Sequence, residues 1–116
     1  MGVLHTDRFW RTFTGRIGAV RDMTLTGALV LTERDVLDNE ILNLDANGSA
    51  RNVDLPQTSQ TLRGHSLIIN NTATGAFALT IRLTGGGATV VTVAQNKMGL
   101  LLCWGAAAGN WRGLTA

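Results

Sequence analysis

Residues able to do chemistry are few in this chain, and their spacing argues against a catalytic centre. Asp35, Asp38 and Glu40 stand close together, and Asp45 with Asn47 and Gly48 resembles the opening of a calcium loop. A calcium EF-hand loop also requires a bidentate glutamate at its twelfth position, and that place falls on Pro56. A solvated acidic turn is the simpler reading. His5 and His65 are far apart and lack the companion ligands of a zinc site. Cys103 lies inside an apolar run beside Trp104, a setting for a buried inert thiol and not for a nucleophile, which needs a polarised, partly exposed environment. Thr84-Gly85-Gly86-Gly87 lacks the Lys and Ser/Thr of a phosphate-binding loop. Trp104 and Trp111 could stack on a sugar, yet no polar constellation accompanies them. No nucleophile, base and orienting group assemble from this inventory. The expectation is a non-enzyme with no catalytic, cofactor-binding or metal-binding residues.

The elements that would position these residues read as strands. Phe77, Leu79, Ile81 and Leu83 alternate with Ala78, Thr80 and Arg82, the period of a strand with one buried face. Before it comes Ser66-Leu67-Ile68-Ile69-Asn70, and after a glycine turn Thr89-Val90-Val91-Thr92-Val93 returns. Leu100-Leu101-Leu102-Cys103-Trp104 is short and apolar throughout, which predicts a strand covered on both faces. From His65 to Trp104 these runs predict a β-meander.

Upstream, Met23–Thr26 and Ala28–Thr32 flank Gly27 as strands or one bent strand, and Glu33–Asp38 is a charged turn or a single helical turn. Asn39–Asp45 and Arg51–Leu55 surround Asn47-Gly48, the dipeptide of a tight hairpin. Pro56 ends that unit, the polar stretch from Gln57 to Gly64 crosses as a loop, and Trp111–Leu114 is a last short strand. The fold class expected is all-β: a small antiparallel β-sandwich or barrel, residues 23–116, behind an N-terminal extended arm, residues 1–22.

With 116 residues the chain holds one domain, and its 14 glycines against one proline mark tight turns. The single cysteine forms no intramolecular disulfide. No apolar run approaches the roughly 20 residues that cross a bilayer, so no membrane partner is expected and synthesis in a cytoplasm is. The net charge of +2 resides in the arm, where Arg8, Arg11, Arg16 and Arg21 outweigh Asp7 and Asp22. That is too sparse for a nucleic-acid arm. Phe9, Trp10 and Phe13 interleave with these arginines, and a short helix from Thr6 to Thr14 would place the aromatics on one side. Either they fold back as a lid on the body's core, or they form an arm docking on another protein. Trp and Arg are the residue types enriched at interface hot spots. The partner-binding candidates are Arg8, Phe9, Trp10, Arg11, Phe13 and Arg16.

The unit Leu42-Asn43-Leu44-Asp45-Ala46-Asn47-Gly48-Ser49-Ala50-Arg51-Asn52-Val53-Asp54-Leu55-Pro56, continued by Leu67–Asn71, Leu79–Ile81, Val90–Val93 and Asn110-Trp111-Arg112, resembles small β domains of tailed-bacteriophage virion proteins. These occur among head-decoration (capsid-cementing) proteins and in tail-fibre segments, usually as homotrimers. The resemblance spans about residues 23 to 116 and implies a homotrimer on the outer capsid surface, with the major capsid protein as partner and no cofactor. A tail-fibre or receptor-binding module that recognises host glycans is the alternative. Apolar residues on both faces of Leu100–Trp104 fit a closed oligomer. Leu100, Leu102, Trp104 and Trp111 are the candidates for its interface.

Overall fold

Leu42 and Leu44, Leu67 and Ile69, and Leu79 and Ile81 each sit at alternate positions of a short strand, and all six side chains are fully buried. This alternation builds the molecule, because each strand turns one set of residues inward and the other outward. The computed structural model describes residues 18–116. Among these the elements are β1 (Val20–Thr24), β2 (Leu29–Val30), α1 (Glu33–Asp38), β3 (Ile41–Asp45), β4 (Arg51–Asp54), β5 (Ser66–Asn71), β6 (Leu79–Arg82), β7 (Thr89–Val93), β8 (Met98–Cys103) and β9 (Trp111–Thr115). The six residues expected to bind a partner from the arm, Arg8, Phe9, Trp10, Arg11, Phe13 and Arg16, lie outside the described residues.

The strands form two sheets. Sheet A has the order β1-β3-β5-β8-β9 and sheet B the order β2-β4-β6-β7. From β1 to β6 the chain visits the two sheets alternately, so it coils, and each strand lies parallel to the one a turn earlier. The last three strands close the coil with antiparallel pairs β6/β7, β5/β8 and β8/β9.

The fold is mostly β, as expected, but the antiparallel architecture holds only for this closing part. The meander is likewise corrected: β5 and β6 lie in different sheets, as do β7 and β8, and only β6 and β7 form the expected hairpin. The turn residues supply the physical reason. Asn47 and Gly48 both adopt positive φ, 58° and 84°, which suits a tight hairpin. Here the same geometry makes a corner that passes β3 into the other sheet. Arg51 pins that corner by donating from Nε to the Ala46 carbonyl at 2.8 Å and from a terminal nitrogen to that of Asn47 at 3.1 Å. Hydrogen bonds across rungs, such as Leu25 N–H to the Asp45 carbonyl and Leu55 N–H to that of Arg82, carry the ladders through the corners.

The core lies between the sheets. Leu42, Leu44, Leu67, Ile69, Leu101 and Cys103 face it from sheet A, and Val53, Leu79, Ile81 and Val93 from sheet B. Gly99 is also inward, and a Cβ there would come within 2.8 Å of Val93 Cγ2, so the missing side chain lets β7 approach β8 closely. Asn71 is buried among these apolar groups with all its needs met: Nδ2 donates to the carbonyls of Phe77 and Val93, and Oδ1 accepts from Ala73 N–H. An unmet amide at that depth would cost about 1–3 kcal/mol.

The charged segment after β2 is the single helical turn α1. Thr32 caps it: Thr32 Oγ1 accepts from Asp35 N–H, and Asp35 Oδ2 accepts from Thr32 N–H at 2.8 Å. Val36 anchors the turn in the core. β1 begins at Val20, in register with Ile41, so residues 20–22 belong to sheet A. No helix among the described residues is long and apolar enough to cross a membrane.

Candidate interaction surface

Most of the described groups that might have done chemistry are occupied structurally. Asp35 caps α1 and pairs with Arg21 at 3.3 Å, Asp38 pairs with Arg34, and Glu40 accepts from Gly18 N–H. Asp45 Oδ1 accepts from Asn47 N–H at 2.9 Å, so the Asp-x-Asn-Gly sequence is an Asx turn at a corner. No three His, Cys, Asp or Glu side chains converge among the described residues. Cys103 is fully buried, its Sγ–H pointing at the Gly105 carbonyl at 3.3 Å, and burial pushes its thiol pKa up. Partly buried His65 leaves Nδ1 without a hydrogen-bond partner among the described residues. Gly85 and Gly86, with φ of 67° and 74°, form the β6–β7 hairpin turn.

What distinguishes the molecule is the outer face of sheet A. Inward residues alternate with outward ones, and the strand register aligns the outward ones into rows. One row crosses all five strands: Val20 faces Ile41, Ile41 faces Ile68, Ile68 faces Leu100, and Leu100 faces Leu114. Every member is a branched aliphatic residue. Val20, Leu100 and Leu114 are 50%, 42% and 60% exposed.

On one side of this row lies a mostly polar row, Asp22–Asn43–Asn70–Met98–Ala116. Within it Asn43 Nδ2 donates to Asp22 Oδ1 at 2.8 Å, and Asn70 Nδ2 to Asn43 Oδ1 at 3.0 Å. On the other side Ser66, Leu102 and Arg112 align. Beyond them Trp104 is half exposed, with the Arg112 guanidinium 5.2 Å from its ring centroid. Between the rows a shallow hollow of about 220 Å³ is lined by Ile68, Met98, Leu100, Leu114 and Ala116.

Three of the four interface candidates, Leu100, Leu102 and Trp104, therefore share this face. Trp111 does not. It is only 5% exposed, points into the core, and donates from Nε1 to the Pro56 carbonyl at 3.0 Å; it is a core plug with a satisfied polar tip. The strand Leu100–Trp104, expected to be covered on both faces, is covered by its own chain on one. Sequence reasoning missed Val20, Ile41, Ile68 and Leu114. The available signal was the consecutive apolar pairs, such as Ile68-Ile69 and Leu100-Leu101, in which one residue must face outward. Comparison with family models, with curated proteins and with solved structures finds no match.

Proposed function

We propose that this chain is a virion structural protein, a homotrimeric decoration protein that binds the outer head surface of a phage capsid and stabilises the shell. The observation that carries this reading is the uninterrupted aliphatic row across sheet A. A small β domain that leaves such a row in water invites association and aggregation, and a closed oligomer removes both liabilities. A trimer that grips several capsid subunits converts weak individual contacts into tight retention through effective concentration. The aromatic and arginine residues from Arg8 to Arg16 are, in this reading, the anchors on the major capsid protein.

The test removes residues 1–17, which leaves every described strand in place. The truncated protein is expected to remain folded and trimeric while losing its binding to capsids. Undiminished coating of capsids by it would refute the arm's role, and absence of the full chain from purified heads would refute the function. The alternative, a tail-fibre or receptor-binding module recognising host glycans, draws on one observation, the accessible Trp104 ring stacked with Arg112. Binding on a glycan array that is lost in Trp104→Ala, together with few copies located at the tail, would select it.

A further inference from the structure

We propose that the outer face of sheet A is the contact between copies of this chain, seated so that Arg112 of one copy meets Asp22 of the next. This rests on the homotrimer proposed above and specifies its interface. The two charges stand at opposite margins of the same face. Arg112 is on β9, on the Leu102 side of the aliphatic row, whereas Asp22 is on β1, on the Asn43 side. Ile68 lies midway across the five strands. Among the described residues the Arg112 guanidinium pairs with no carboxylate and lies over the Trp104 ring, and the Asp22 carboxylate accepts from Asn43 Nδ2. When the β9 margin of one copy overlies the β1 margin of another, the Leu114 end of one aliphatic row covers the Val20 end of the other and the opposite charges meet.

The face is small for an interface between two copies alone. Five strands spaced about 4.8 Å apart and roughly 18 Å long present only about 400 Å². A stable two-body interface buries about 800 Å² per partner. In the trimer proposed above, a head-to-tail contact sets the β1 margin and the β9 margin against different neighbours, so two contacts share the one face.

Sedimentation equilibrium on the full-length chain, with no capsid present, tests this independently of any virion role. The native chain should be trimeric. Leu100→Lys should be monomeric with an unchanged circular dichroism spectrum, because Leu100 points away from the core, and Thr80→Lys, outward on sheet B, should stay trimeric. Asp22→Arg and Arg112→Asp should each weaken association at least about tenfold, and the double reversal should recover most of that loss. A monomeric native chain, as would follow if its own residues 1–17 covered the face, overturns the proposal. So does a trimeric Leu100→Lys, or a double reversal no better than either single change. Loss of capsid binding in a chain that still forms this trimer would instead count against the decoration role.

Discussion

The outer faces of the two sheets obey the same backbone geometry yet carry opposite chemistry. On sheet A the central row is Val20, Ile41, Ile68, Leu100 and Leu114. On sheet B the corresponding rows are Asn52, Thr80 and Thr92, and Val30, Asp54, Arg82 and Thr89. Val30 is the single apolar member there. Folding constrains the inward residues of both sheets alike, because both seal one core, but it places no such demand on the outward ones. Their composition suits water over most of sheet B and, in the oligomer proposed above, a second apolar surface on sheet A.

The largest effect should come from the side that folding does constrain. Ile69 and Ile68 are neighbours on β5, one fully buried and the other outward. Ile69→Ala is expected to lose about 2–5 kcal/mol through lost burial and the cavity left behind. Ile68→Ala, in dilute protein held as a monomer, should lose less than about 1 kcal/mol. Urea unfolding of both variants reads the difference. Equal losses in the monomer would mean that the aliphatic row already contributes to the single chain's core, and the contrast between the faces would fail.

A smaller effect separates the charged pairs. Asp54 and Arg82 face each other across β4 and β6, with Arg82 Nε 2.8 Å from Asp54 Oδ1 and the Asp54 side chain only 9% exposed. Arg34 and Asp38 make an i,i+4 pair on α1 that is largely in solvent. A double-mutant cycle should give about 1–3 kcal/mol of coupling for the sheet B pair, because removing either partner leaves a desolvated group behind. The helical pair should give about 0.3–0.5 kcal/mol, most of it screened away in high salt. Similar values for both would mean that sheet B's outer face is as open to water at Asp54 as α1 is.

Much of this was legible in the residues. Alternation located β6 and its inward face, apolar runs located β5 and β8 without telling which residues face inward, Gly85 and Gly86 marked the β6–β7 hairpin, and the charged segment after Leu31, read as a turn or a single helical turn, is helical. Parallel coiling was not legible, because the coil has no constant period. Residues hydrogen-bonded side by side are 21 apart between β1 and β3 and 27 apart between β3 and β5, so no repeat shows in the sequence. A positive-φ Asn-Gly pair also looks the same whether it returns a strand along its neighbour or turns it into the opposite sheet. For the surface, Leu100, Leu102 and Trp104 were visible as excess apolarity. Trp111 was misplaced because sequence does not reveal which tryptophan finds a buried carbonyl for its N–H.

The smallest effect concerns the polar row beside the aliphatic one. Asn43 sits between Asp22 and Asn70, donating to the first and accepting from the second, so it links the first three strands of sheet A on their outer side. These groups are reachable by water, which would replace the lost partners, and Asn43→Ala should therefore cost the monomer no more than about 1 kcal/mol. In the proposed oligomer its effect on self-association should be larger than its effect on folding, because Asn43 holds the Asp22 carboxylate that the proposal sets against Arg112 of the next copy. Urea unfolding alongside sedimentation equilibrium separates the two quantities. A variant that unfolds early yet associates normally would show that the amide chain serves the fold alone, and that the margin of sheet A carrying Asp22 takes no part in joining copies.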